Sequence, residues 1–82
     1  MPMYNPPHPG EALREDVLPA LGITKAKLAE CLEYPAEQLE AVLNCSASIN
    51  IDLAQRLEQS GLGSARAWLA EQAAYDLWQS QH

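Results

Sequence analysis

The sequence predicts an all-α fold. Apolar side chains recur at helical spacing in five separate segments, and each segment is bounded by capping residues, prolines or glycines. No segment shows the alternation of apolar and polar residues that is typical of a β-strand. With 82 residues the chain can bury one small core and not two. We therefore expect a proline-rich extended arm over residues 1–8 and a single five-helix domain over residues 9–82.

The boundaries of the helices follow from their caps and breakers. Gly22 supplies the left-handed backbone conformation that ends the first helix, and Pro19 is expected to kink or tighten its last turn. Thr24 is a suitable N-cap for a second helix over residues 25–32, and Pro35 suits the first position of the third. The N-caps of the last two helices are Asn50 and Ser64.

The second and third predicted helices have the packing pattern of a helix-turn-helix. Only about three residues join them, so the helices must cross steeply, and Ala29 supplies the small side chain needed where they approach. Leu39 is placed to fill the gap between them, and Val42 extends the contact one turn later. Between the helices, Glu33 occupies a position with positive φ, which costs up to about 1 kcal/mol relative to glycine. An ordinary αα-hairpin shares this spacing.

No residue pattern indicates catalysis. His8 has no serine, cysteine or carboxylate at a motif spacing that would make it a general base, so we expect a structural role. The two cysteines form no CxxC motif and lie far in sequence from both histidines. We therefore expect no metal, no cofactor and no enzyme activity, with free thiols in a reducing cytoplasm. Cys31 is expected to be buried on the second helix, and Cys45 to replace a turn glycine.

Acidic residues outnumber basic residues. Five Lys and Arg stand against eleven Asp and Glu, which gives a formal net charge of −6 at pH 7. This balance opposes nonspecific attraction to nucleic acid, because that attraction comes mostly from cations that neutralise phosphates. It favours a basic protein partner instead.

Both ends of the chain resemble one family. Residues 8–18, HPGEALREDVL, and residues 21–24, LGIT, look like the HPGE-x-LREE-x-L opening of HigA-type antitoxins, which are also called plasmid-maintenance antidote proteins. Trp68-Leu69 and residues 72–78, QAAYDLW, are similar to that family's WLNLQAAYDLW ending. The resemblance implies a five-helix, repressor-like bundle that forms homodimers. It also implies a protein that represses its own operon and neutralises a small basic mRNA-cleaving toxin.

The middle of the chain departs from this family pattern. Family members usually carry arginines along the third helix and an Asn-Gly-Lys-Arg-like turn after it, whereas residues 35–47 here contain no Lys or Arg. Residues 24–44 hold two lysines and four glutamates. Two hypotheses therefore stay open. The chain is an antitoxin-like regulator that binds operator DNA, or it acts only through protein–protein interaction and has lost DNA binding.

The candidate DNA contacts lie at the start of the second helix, along the third helix and in the turn that follows. Lys25 and Lys27 suit phosphates, with Arg56 as a further cation that could position the protein. Gln38 can bond adenine and carboxylates can accept from cytosine N4, although Glu37 equally suits a solvated helix face. The full set is Lys25, Lys27, Ala36, Glu37, Gln38, Glu40, Ala41, Asn44 and Ser46. The predicted dimer contacts are Tyr75 and Trp78.

Overall fold

The computed structural model describes residues 6–81, which form five helices and contain no strand. We number them α1 to α5. The first covers residues 9–21, and the others are Lys25–Leu32, Ala36–Leu43, Ile51–Gln59 and Ala65–Gln81. The prediction of an all-α, five-helix bundle is therefore confirmed. Of the predicted arm, residues 1–5 lie outside the described residues, and residues 6–8 lead into α1 without helical structure.

One turn of α1 is a π-helix. It covers Leu13–Val17, between the α-helical segments Pro9–Ala12 and Leu18–Leu21, and the amide of Leu18 donates to the Leu13 carbonyl five residues earlier. Pro19 follows directly, and a proline has no N–H to donate and crowds the carbonyl four residues before it. The wider turn accommodates both effects. The irregularity expected at Pro19 is therefore a π-helical turn that begins well before the proline.

The first four helices end with the same hydrogen-bonding pattern. In each, one residue has a positive φ, and the amide of the next residue donates to a carbonyl five residues earlier. This arrangement is a Schellman motif, which satisfies carbonyls that have no partner within the helix. In these four motifs the residue with positive φ is Gly22, Glu33, Cys45 and Gly61, respectively. The structure thus confirms the predicted conformations of Gly22 and Glu33 and the role of Cys45 as a substitute for a turn glycine.

The helix starts agree with the predicted N-caps. Side-chain oxygens of Thr24, Asn50 and Ser64 accept from the amide three residues later, at 3.1, 2.8 and 3.1 Å. Pro35 differs by one position, because it is the N-cap of α3 and not its first helical residue. Its backbone is extended, with ψ 127°, and its carbonyl accepts the first helical bond from the Leu39 amide.

The core lies between the inner faces of α1 to α4 and is closed by α5. Ala29 is buried on α2, and Leu39 and Val42 are buried on α3, as the helix-turn-helix spacing predicts. From α5, Trp68 packs onto this core, and its indole Nε1 donates to the Leu62 carbonyl at 2.9 Å. The fully buried leucines are Leu13, Leu28, Leu39, Leu43, Leu53 and Leu57.

The prediction that Cys31 is buried is wrong. The inner face of α2 is formed by Leu28, Ala29 and Leu32, and position 31 lies off that stripe at 100° per residue, so its thiol is exposed. Cys45 is partly buried, and both cysteines are free thiols. None of the helices found in residues 6–81 is long and apolar enough to cross a membrane.

Candidate nucleic-acid interface

The geometry of α2 and α3 presents the outer side of α3 to solvent. Leu39, Val42 and Leu43 form its buried stripe, so the side chains between them point away from the core. Ala41 is half-buried at the edge of that stripe. The exposed candidates on α3 and in the following turn are Ala36, Glu37, Gln38, Glu40, Asn44 and Ser46. The structure therefore brings these sequence-predicted contacts onto one accessible surface.

The two candidate lysines lie at the start of α2. Lys25 and Lys27 are both exposed. The ammonium of Lys27 is 3.7 Å from a carboxylate oxygen of Glu30, one turn further along the helix. Exposed pairs of this kind are weak, so Lys27 can exchange this partner for a phosphate at small cost.

Arg56, the further cation considered for DNA, is bound within the chain. Its Nη1 donates to the carbonyls of Leu32 and Glu33, each at 3.0 Å, and its Nε pairs with Asp52 at 3.1 Å. A cation at the C-terminus of a helix is favoured by the helix dipole and by the unpaired carbonyls there. The structure thus places the guanidinium of Arg56 at the end of α2 and not on an open surface.

Arg14 holds the end of α3 in the same manner. Its Nη1 donates to the Leu43 carbonyl at 2.8 Å, and its Nε donates to Glu15 at 3.1 Å. The hydrogen bond with Glu15 raises the pKa of Arg14 above its usual value. Each helix of the helix-turn-helix therefore ends at an arginine that comes from outside the motif. Sequence reasoning missed both contacts, because they join residues 29 and 24 positions apart.

His8 and Gly10 lie against the turn that follows α3. The Nδ1 of His8 accepts from the Gly10 amide at 2.9 Å, and its ring makes an edge contact with Tyr75, with centroids 4.8 Å apart. The imidazole also bonds the backbone of Ala47, and burial lowers its pKa. At Gly10 a Cβ would collide with the carbonyl of Val42. These contacts agree with the structural role predicted for His8.

The last helix is tied to the same turn by a buried glutamine. The Oε1 of Gln72 accepts from the Ile49 amide at 2.8 Å, and its Nε2 donates to Asp76 at 2.9 Å. Sequence reasoning included Gln72 in the QAAYDLW segment but missed this contact, since nothing in the helical pattern distinguishes Gln72 from an exposed glutamine.

The predicted dimer contacts on α5 lie near the surface. Tyr75 and Trp78 are each half-buried in the single chain, and the ring of Tyr75 already contacts His8. Beside them Leu77 is 61% exposed. Small side chains extend this outer face along the helix, at Ala67, Ala70, Ala73 and Ala74. Within residues 6–81, no group of three or more His, Cys, Asp or Glu could hold a metal ion.

The chain is similar to several known proteins, although no protein-family model matches it. The chain is 37% identical over 70 residues to virulence-associated protein I of Dichelobacter nodosus. The matched residues make up 85% of this chain and 65% of that relative's length.

Two solved structures share both the fold and the sequence pattern. An addiction module antidote protein of a HigA family from Coxiella burnetii is 35% identical, with a TM-score of 0.82 over 90% of this chain and 80% of that one. Pseudomonas aeruginosa antitoxin HigA, solved with the higBA promoter, is 33% identical, with a TM-score of 0.86 over 92% of this chain and 82% of that one. These relatives are antidote proteins and not enzymes, in agreement with the sequence prediction. The chain belongs to the HigA family of helix-turn-helix antidote proteins.

Proposed function

We propose that the chain is an antitoxin-type transcriptional regulator that binds operator DNA through the outer face of α3 and the start of α2. The observation that carries this proposal is the packing of Ala29 and Leu39, which holds α3 as the second helix of a helix-turn-helix. The relative from Pseudomonas aeruginosa, solved with promoter DNA, supports it further.

The proposed contacts divide by chemistry. Lys25 and Lys27 neutralise phosphates, and Gln38 bonds the edge of an adenine in the major groove. Glu37 and Glu40 suit the amino group of cytosine, which donates a hydrogen bond to a carboxylate. The remaining positions of the proposed interface are Ala36, Ala41, Asn44 and Ser46. Because this surface holds only two cations, its affinity for DNA depends weakly on salt.

A homodimer would present two such surfaces about 34 Å apart, which is one turn of DNA. We place its interface on α5, with Tyr75 and Trp78 as the predicted contacts and the exposed Leu77 beside them. Leu77 is the side chain on this face with most to gain from burial.

We further propose that the protein neutralises a small basic toxin in the cytoplasm. Its net charge of −6 complements a basic partner and accelerates their encounter. Co-expression with a small basic protein encoded beside it, followed by co-purification, tests this part of the proposal. Failure to co-purify would contradict it.

DNA binding is tested by titration of the protein's own promoter at several salt concentrations. In the homodimer, Lys25→Ala and Lys27→Ala should each reduce the magnitude of the slope of log affinity against log salt by about 1.8, because each removes one phosphate contact from each subunit. Arg66→Ala is the matched control, since it removes an exposed cation from α5. Equal slopes in all three variants would contradict the assignment of the two lysines.

The second candidate function is protein–protein interaction alone. In this case the chain has lost DNA binding and acts only by binding its toxin or by forming its dimer. The absence of Lys and Arg from residues 35–47 favours it. It predicts no specific retardation of promoter DNA at any salt concentration, while the toxin still co-purifies. The titration described above therefore separates the two candidates.

A further inference from the structure

Three contacts from the N-terminal segment converge on the end of α3. The guanidinium of Arg14 donates to the Leu43 carbonyl at 2.8 Å. The backbone of Gly10 packs so closely on the Val42 carbonyl that no side chain fits between them. The imidazole of His8 bonds the backbone of Ala47 in the following turn. The segment that opens the chain is therefore in contact with the last turn of α3.

The end of α3 needs such support. The Schellman motif around Cys45 supplies donors for the carbonyls of Ala41 and Val42, through the amides of Ser46 and Cys45. Arg14 supplies a donor for the next carbonyl, that of Leu43, and brings a positive charge to the negative end of the helix dipole.

Two anchoring points fix the direction of a helix axis. The first for α3 is Leu39, which is fully buried and packs against α2 near the middle of the helix. The second is the carbonyl of Leu43, held from α1 by Arg14. Loss of the Arg14 bond leaves this end of α3 held by the buried side chain of Leu43 and by the contact of Gly10 with Val42, and so loosens its tilt without releasing it.

We propose that Arg14 is a positioning residue, which sets the orientation of α3 for operator binding without contacting DNA. This inference rests on the proposed function. The guanidinium of Arg14 is held at the end of α3 by its bond to the Leu43 carbonyl, so contact with a phosphate would require that this bond be broken.

The first test measures operator affinity and its salt dependence. Arg14→Gln should weaken operator binding about tenfold, the size of one disturbed base contact, and leave the salt slope unchanged. Arg66→Gln, the matched control, removes the same charge from the exposed side of α5 and should preserve the affinity. A slope whose magnitude falls by about 1.8 in Arg14→Gln, one contact from each subunit, would show a phosphate contact and overturn the proposal, as would an unchanged affinity.

The second test does not need DNA. Arg14→Gln should increase the rate of amide hydrogen exchange at residues 44–47, while the amides of Lys25–Leu32 keep their wild-type rates. Unchanged exchange at residues 44–47 would overturn the positioning role. This measurement decides the inference even if the wild-type protein fails to bind its promoter, an outcome that would instead refute the proposed function.

A conservative variant covers the case in which Arg14→Gln does not fold. Arg14→Lys keeps a cation at the end of α3 but loses the planar guanidinium that reaches Glu15 and Leu43 together. Its operator affinity and its exchange rates at residues 44–47 should lie between those of the wild type and Arg14→Gln. Values equal to the wild type in both measurements would contradict the role of the guanidinium.

Discussion

The guanidinium of Arg56, on α4, donates to the backbone carbonyl of Leu32 at the last residue of α2, at a distance of 3.0 Å. A second bond from the same nitrogen reaches the carbonyl of Glu33. The turn of the helix-turn-helix is therefore held from a helix outside the motif.

Arg56→Met should lower the free energy of unfolding by about 1–2 kcal/mol, because charge-assisted hydrogen bonds to two helix carbonyls are lost while most of the side-chain volume is kept. Urea unfolding measures this change. Arg66→Met, on the exposed side of α5, should change the free energy by less than about 0.5 kcal/mol. Equal effects in the two variants would argue against the role of Arg56 at the end of α2.

Glu33→Gly should stabilise the fold by about 1 kcal/mol. Glu33 has φ 54°, a conformation that is costly for residues with a Cβ and free of strain for glycine. Its carbonyl remains available to Arg56. Glu30→Gly is a control of opposite sign, since it places glycine inside α2 and should destabilise by about 1 kcal/mol. The idea fails if thermal unfolding shows both variants to be destabilised.

Gly10→Ala should destabilise the fold by about 1–3 kcal/mol, because its methyl group meets the Val42 carbonyl and α1 must move away from α3. Gly22→Ala is the comparison, since open space surrounds Gly22 and only its positive φ opposes a side chain. Chemical denaturation of the two variants should give the larger loss at Gly10. The reverse order would show that the close approach is not tight.

Stability should fall as the pH drops below about 6.5, the ordinary pKa of histidine. Burial lowers the pKa of His8 in the folded protein, so the unfolded chain takes up a proton first. The contribution of His8 is complete above pH 6.5 and is lost as the pH falls towards the lowered pKa. Urea unfolding between pH 5 and pH 8 measures this dependence.

His8→Asn provides the control for the pH series, because asparagine keeps an acceptor for the Gly10 amide but does not titrate. The difference in unfolding free energy between the wild type and this variant should shrink as the pH falls from 7 to 5. A difference that stays constant over this range would rule out His8 as the titrating group.

Local features of the fold could be predicted from the sequence, and contacts between distant segments could not. The N-caps Thr24, Asn50 and Ser64 depend only on residues three positions away, so their pattern is visible in the chain. The pair Ala29 and Leu39 was predictable because a short connection restricts how two helices can cross.

The missed features all depend on tertiary geometry. Arg14 and Arg56 look like surface cations in the sequence, and their carbonyl partners become apparent only once α1 and α4 are packed. Gln72 is similar, since its partner Ile49 lies 23 residues away. Cys31 was predicted to be buried but is exposed, because a small apolar side chain suits either the buried or the exposed side where the two faces of a helix meet.

The internal use of two arginines reduces the number of cations that are available for nonspecific contact with DNA. With Arg14 and Arg56 bound to helix ends, the remaining cations are Lys25, Lys27 and Arg66, on a chain whose net charge is −6. Binding to arbitrary DNA rests almost entirely on such cations, so we expect this chain to bind nonspecific sites weakly. Under the function proposed above, most unbound molecules would then stay in solution, available to a toxin.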